Sequence, residues 1–214
     1  MSRGLFITFE GGEGVGKSTN IAFCADWLQQ QGCDVVVTRE PGGTLIAEKI
    51  REDLLKAHHD EPMDDMAELL LVFAARAQHI SQLIRPALER GAWVLCDRFT
   101  DSTIAYQGFA RQQPLDRILL LKDLVQADIE PDCTFLLEAP LELGMARARG
   151  RAQSTGTAID RFETEQLAFF ERVKEGFDWV AEQYPRVSRI DASLSLADVQ
   201  RQLEQHLQRL HEGS

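Results

Sequence analysis

Phe9-Glu10-Gly11-Gly12-Glu13-Gly14-Val15-Gly16-Lys17-Ser18 is the stretch of this 214-residue chain on which its fold can be read. Its last eight residues satisfy the spacing G-x-x-x-x-G-K-[S/T], and they stand between an apolar run, Leu5 to Phe9, and a stretch of helical periodicity. In that context glycines let consecutive backbone N–H groups curl around phosphates at a helix N-terminus, where the peptide dipoles favour negative charge. The pattern puts Lys17 in reach of β and γ phosphates and Ser18 in position to ligate Mg²⁺. Gly11, Gly12, Glu13, Gly14, Val15, Gly16 and Thr19 complete the candidate ATP-binding turn.

Working outward, short β-rich runs recur between helical patterns: Leu5 to Phe9, Val35 to Thr38, Trp93 to Cys96, Thr134 to Leu137 and Val187 to Ile190. Most are continuously apolar, the signature of strands covered on both faces and hence of a mainly parallel sheet between helices. Ile21, Cys24, Ala25 and Leu28 predict a helix over Ser18 to Gln31, with Gly32 placed as a C-terminal cap. Leu167 to Tyr184 steps by three or four residues until Pro185 stops it, and Val199 to Leu210 does the same after Ser195. Asp64 to Arg90 reads as largely helical, started at Asp64-Asp65 and kinked or interrupted by Pro86. The small and polar residues Ala152 to Ile159 read as a loop. The sum is an α/β, three-layer, mainly parallel five-stranded sheet flanked by helices, in one domain over 1–214.

Composition narrows the function. With 44% apolar residues the chain can bury a core without disulfides or a structural metal. The longest apolar run, Leu69 to Ala75, is far short of the roughly 18 residues of a membrane span, and no signal-peptide pattern opens the chain. Cys24, Cys33, Cys96 and Cys133 match no metal spacing and fit reduced thiols, so a cytoplasmic location is expected. His58-His59-Asp60-Glu61 reads as a polar loop rather than a metal cluster. A net charge of −11 disfavours nucleic-acid or anionic-membrane partners and leaves small anions as ligands, met by clustered arginines.

Two further patterns carry chemistry. Asp97 closes the third apolar run, where an acidic side chain at a strand's C-terminal end enters the ligand crevice and can organise Mg²⁺. Arg98 follows it, a group for a second phosphate rather than for activating water, which favours an acceptor over hydrolysis. Arg147, Arg149 and Arg151 close a helix beginning near Leu141, and a short lid over about 147–160 would bring a cation onto the transferring phosphoryl group. Arginines two apart do not share a helix face, so only part of the cluster can face the site at once. A guanine-reading switch is excluded because the only Asn is Asn20. An ATP-driven switch is disfavoured by Arg98, and another nucleotide kinase on the same scaffold remains the enzyme alternative.

The phosphate loop with Phe9-Glu10, Thr38-Arg39-Glu40-Pro41-Gly42-Gly43-Thr44, Asp97-Arg98-Phe99, Ser102-Thr103-Ile104-Ala105-Tyr106-Gln107-Gly108 and Asp160-Arg161-Phe162-Glu163 together resemble the thymidylate kinase family over nearly the whole chain. The resemblance implies a P-loop NTPase fold and transfer of the γ-phosphoryl of ATP to dTMP, with Mg²⁺, in dTTP biosynthesis, by a homodimer built through helices such as Asp64 to Arg85. It implies that Arg98 and Arg39 hold the acceptor phosphate and that Glu10 and Asp97 organise the sugar and metal region. Arg76 and Gln107 would address the thymine edge with Thr103 beside it, and Tyr106 would fill the space of a ribose 2′-hydroxyl. Asp160 and Glu163 complete the implied substrate side. Phe73, three residues before Arg76, either stacks on the base or belongs to the core. Since the phosphate loop carries Glu13 and Val15 rather than an arginine, Arg149 or Arg151 of the lid is implied as the catalytic cation.

Overall fold

Each of the five strands ends on a charged residue. In this computed structural model, which describes residues 3–57, 59–155 and 165–213, they are β1 (Phe6–Glu10), β2 (Val35–Arg39), β3 (Trp93–Asp97), β4 (Cys133–Glu138) and β5 (Val187–Asp191). Every strand therefore runs one residue beyond its apolar core, and Glu10, Arg39, Asp97, Glu138 and Asp191 gather along the C-terminal edge. All pairings are parallel, in the order β2-β3-β1-β4-β5. β1, β3 and β4 are central and almost wholly buried, whereas the edge strands β2 and β5 are partly exposed.

The helices in chain order are α1 (Lys17–Gln30), α2 (Leu45–Lys49), α3 (Asp65–His79), α4 (Arg85–Glu89), α5 (Thr100–Thr103), α6 (Leu115–Gln126), α7 (Leu141–Thr155), α8 (Leu167–Gln183) and α9 (Leu196–Glu212). Wider, π-type turns extend α2 over Ile50–Leu55, join α3 to α4 over Ile80–Ile84 and follow α5 over Ile104–Ala110. On one face of the sheet, α1 and α9 bury Ile21, Leu28, Val199, Leu203 and Leu207 against Ile7, Phe9, Leu95 and Phe135. Full burial of one such leucine contributes about 2 kcal/mol of transfer free energy. On the other face Ile80, Ile84 and Leu88 pack on Phe6 and Val94. Phe170, Val173 and Phe177 of α8 pack there on Leu136 and Tyr106.

Local signals account for the helix ends. The Asp64 carboxylate accepts from Met66 N–H and Ala67 N–H, and the Ser195 hydroxyl accepts from Asp198 N–H, so both predicted starts are capped. Pro86 has no N–H and its ring crowds the preceding turn; the helix path widens over Ile80–Ile84 just before it instead of breaking. One expectation is corrected: α7 continues to Thr155, past the start of the predicted loop at Ala152, because neither Ala152 nor Gln153 breaks a helix.

β1 lies between β3 and β4, so the connections leaving its two sides diverge and open a crevice at its carboxyl end. Register brings the site's charges to that crevice: Phe9 stands opposite Asp97, and Arg39 stands opposite Asp97 on the far side of β3.

Candidate active site

The turn from β1 into α1 follows the sequence motif. Gly14 has φ 71° and Gly16, which precedes the first residue of α1, has φ 88°, both in the left-handed region where a side chain is strained. A Cβ on Gly14 would also lie 2.0 Å from the Gly144 carbonyl oxygen, so α7 rests directly on the phosphate loop. Lys17 Nζ donates to the carbonyls of Gly11 at 3.1 Å and Gly12 at 3.0 Å. Burial, reinforced by the Arg98 charge, lowers its pKa, and the carboxylates of Asp97, Glu13 and Glu10 oppose that shift.

A cavity of about 440 Å³ opens from this loop. Glu13 to Thr19 line one end and Val72, Arg76, Thr103 and Gln107 the other, with Arg39, Arg51, Asp97, Arg98 and Tyr106 between. Arg98 sits in the middle with φ 68°, an uncommon backbone state for a residue with a side chain. Its N–H donates to Phe9 O at 2.9 Å, Nη2 to Glu13 Oε1 at 2.6 Å and Nη1 to Ser102 Oγ at 3.0 Å. Its guanidinium lies 5.0 Å from the Tyr106 ring centre, and the Tyr106 hydroxyl donates to the same Glu13 oxygen at 3.2 Å. Although burial alone would lower the Arg98 pKa, Tyr106 and the surrounding carboxylates raise it, so the guanidinium stays charged. Arg39 pairs with Glu48 at 2.9 Å, and Arg51 Nη1 donates to Pro41 O at 2.8 Å.

At the far end Arg76 is held on every side. Its guanidinium carbon lies 4.9 Å from the Phe73 ring centre and 5.0 Å from that of Phe99. Nε donates to Glu40 Oε2 at 2.7 Å and Nη2 to Thr103 Oγ1 at 2.9 Å. His79 Nδ1 lies 2.9 Å from Glu40 Oε1, and its Nε2 is 2.7 Å from Thr38 Oγ1. Burial alone would raise the Glu40 pKa, but Arg76 and His79 hold it below the ordinary carboxylate value. Arg76 Nη1 is buried and has no hydrogen-bond partner among the described residues, which leaves one donor for a ligand.

Glu10 lies beneath the cavity, fully buried, and the cavity lining leaves it out. Its Oε1 accepts from Phe99 N–H at 2.7 Å and its Oε2 is 2.5 Å from Ser102 Oγ, so it fixes the turn that carries Arg98. Burial, aided by the Asp101 carboxylate, pushes its pKa up to about 8.

Asp97 and Ser18 both line the cavity, and Asp97 Oδ1 is buried without a hydrogen-bond partner among the described residues. An uncompensated buried carboxylate oxygen beside a phosphate loop suits a hard cation, and Mg²⁺ takes one or two protein oxygens plus phosphate oxygens and water. The donor set fits Mg²⁺. Among the described residues no group of three or more His, Cys, Asp and Glu could form an all-protein cage, and His59 Nε2 lies instead 2.8 Å from Leu54 O.

The structure thus brings Lys17, Ser18, Thr19, Arg39, Arg76, Asp97, Arg98, Thr103, Tyr106 and Gln107 onto one cavity. It separates out Phe73, which is 2% exposed and packs with Leu69, Ile104 and Val180, while Val72 takes the cavity wall. Phe73 is therefore a core residue that flanks Arg76. The side chains of Arg149 and Arg151, and residues Asp160 and Glu163, lie outside the described residues, whereas Arg147 Nη1 donates to Ala192 O at 2.8 Å. Arg51 escaped sequence reasoning: followed by Glu52 and Asp53 it reads as a solvated helix turn, and only the fold of Ile50–Leu55 brings it to the cavity.

A parallel sheet with a phosphate loop at its switch point, facing an arginine-rich second compartment, defines a P-loop phosphotransferase, which moves a phosphoryl group from a donor nucleotide to an acceptor. The thymidylate kinase family model matches residues 9–203. The chain is 53% identical to thymidylate kinase of Teredinibacter turnerae over 96% of this chain and 98% of that one, and 55% identical to thymidylate kinase of Chromohalobacter salexigens over 97% and 96%. The crystal structure of thymidylate kinase from Ehrlichia chaffeensis is similar to it with a TM-score of 0.75 and 34% identity, covering 96% of this chain and 99% of that one. The chain belongs to the thymidylate kinase family and is a nucleoside monophosphate kinase that phosphorylates dTMP.

Proposed function

We propose that this chain transfers the γ-phosphoryl group of MgATP to dTMP through the residues assembled on the 440 Å³ cavity, releasing dTDP and ADP. The observation that carries the reading is the continuity of that cavity from Lys17, through Arg98, to the unpartnered donor of Arg76. The phosphate loop and Lys17 cradle the donor's β and γ phosphates. Arg98, Arg39 and Arg51 hold the acceptor phosphate, with Glu13 and Tyr106 keeping Arg98 in place. The base lies at Arg76 and Gln107 against Val72, and Tyr106 closes the space of a 2′-hydroxyl by steric clash. Ser18 and Asp97 hold Mg²⁺, which when bound draws charge from the transferring group. A phosphate oxygen is already a nucleophile, so the residues act by in-line positioning and charge neutralisation without a strong general base. Arg149 or Arg151 supplies the remaining cation, since the phosphate loop contains none beyond Lys17.

The enzyme is a homodimer. Leu70 of α3 and Leu120 and Leu124 of α6 are 49%, 69% and 76% exposed on helices that pack side by side, an apolar surface suited to self-association. Four free cysteines support a cytoplasmic location, and no helix among the described residues is long and apolar enough to cross a membrane. The test is ADP release with dTMP, dUMP, dGMP, dCMP, UMP and thymidine as acceptors. Preference for dTMP is expected, and preference for any other acceptor overturns the substrate. Sedimentation velocity reads the dimer.

A further inference from the structure

Gln107 is the second side chain at the base end of the cavity, and an amide can face a ligand with either its oxygen or its nitrogen. What decides between them lies behind it. Gln107 Nε2 donates to Glu68 Oε1 at 2.8 Å, and Glu68 is 1% exposed on the inner face of α3. Glu68 is itself 3.4 Å from Arg111 Nε, whose Nη1 is 2.6 Å from Glu165. A carboxylate facing a guanidinium is an acceptor only, so it takes the NH₂ of the amide and cannot take the oxygen.

We propose that Glu68, which touches no substrate, is a specificity-determining positioning residue: by holding Gln107 Nε2 it turns the Gln107 oxygen toward the base. This rests on the reading of Gln107 as a base contact. The cavity then presents one donor, Arg76 Nη1, and one acceptor, Gln107 Oε1. A pyrimidine with a carbonyl at C4 and a hydrogen on N3 complements that pair. Cytosine, with an amino group at C4 and a lone pair on N3, opposes both members. Released from Glu68, the amide can rotate to donate to N3 of cytosine, which removes one of the two mismatches and leaves the other at Arg76.

The experiment measures kcat/KM of the full-length enzyme with dTMP, dUMP and dCMP, with the KM for ATP as the measure of an intact phosphate loop. Glu68→Gln is expected to raise the dCMP to dTMP ratio by about tenfold, the worth of one reversed hydrogen bond, and to leave the dUMP to dTMP ratio unmoved. Glu68→Asp, which keeps an acceptor, is expected to restore the ratio to within about threefold of the parent. The double variant E68Q/R111Q leaves no cation facing a neutral amide and is measured beside E68Q, so that misfolding of the single variant still yields a result. If E68Q and the double variant lower all three substrates together with the ratio unmoved, Glu68 is merely structural and the proposal fails. Gln107→Leu separates the two levels: a changed dCMP to dTMP ratio upholds Gln107 as a base contact whatever Glu68 does, and an unchanged ratio overturns that reading and this inference with it.

Discussion

Glu13 Oε1 accepts from Arg98 Nη2 at 2.6 Å and from the Tyr106 hydroxyl at 3.2 Å, so one carboxylate of the phosphate loop ties together two groups of the acceptor compartment. Both partners are mostly buried, where a charge-assisted bond holds its geometry. Glu13→Gln keeps the shape and removes the charge. It is expected to lower kcat/KM for dTMP by about tenfold to a hundredfold, with a smaller change in the KM for ATP. Steady-state kinetics with each substrate varied in turn checks it, and a larger loss on the ATP side than on the dTMP side would assign Glu13 to the donor instead.

The catalytic cation is expected in α7, beyond the phosphate loop. Replacing the right arginine, Arg149 or Arg151, by alanine is expected to cost on the order of 10³ in kcat, as for other arginines that neutralise a transferring phosphoryl group. Single-turnover rates of R149A and R151A make the assignment, and near-normal rates in both remove the lid from the chemistry.

Asp97 Oδ1 is a buried acceptor without a partner among the described residues. If it holds Mg²⁺, Asp97→Asn weakens MgADP binding while leaving metal-free ADP binding nearly unchanged. The readout is the thermal shift given by ADP with Mg²⁺ and with EDTA, since a ligand stabilises the folded state according to its concentration over Kd. The gap between the two conditions should shrink in the variant, and an undiminished gap places the cation elsewhere.

Much of this was legible in the sequence because the governing interactions are local. The glycine spacing, the helix period after it and the caps at Asp64 and Ser195 each act over a few residues. Strand ends were misread by one residue for an instructive reason. The apolar runs stop before Glu10, Arg39, Asp97, Glu138 and Asp191, yet those charged residues stay paired in the sheet, and of their side chains Arg39 and Asp97 line the crevice while Glu10 is buried beneath it. Arg51 is not legible in the sequence because its role depends on tertiary placement rather than spacing. Phe73 and Val72 are adjacent on α3, and a helix turns about 100° between them, so one residue of offset exchanges core for cavity.

Gly144 of α7 meets the phosphate loop so closely that an added Cβ would lie 2.6 Å from the Glu13 carbonyl oxygen, with only backbone to yield. Gly144→Ala is therefore expected to push the loop and helix apart. The cost in stability should be about 1–3 kcal/mol, as for other overpacked sites. Denaturant unfolding measures that cost, and a raised KM for ATP reports the displaced loop. Unchanged stability with unchanged KM would show that α7 shifts freely.

The buried Glu10 carboxyl gives the fold a pH dependence of definite sign. Its pKa is about 8 in the folded chain, raised by burial and by Asp101, against an ordinary value of 4.5. Below pH 4.5 it is protonated in both states and its contribution to stability is fully present. As pH rises from there the unfolded chain ionises first, so stability declines until the folded carboxyl also ionises near pH 8, and then levels off. The full difference is on the order of 5 kcal/mol. Glu10→Gln mimics the neutral acid, with an oxygen to accept from Phe99 N–H and an NH₂ to donate to Ser102 Oγ. It should therefore match the parent at pH 5 and exceed it at pH 8.5 in denaturant midpoint. Parallel pH profiles for the two proteins would mean that Glu10 is ionised in the folded state.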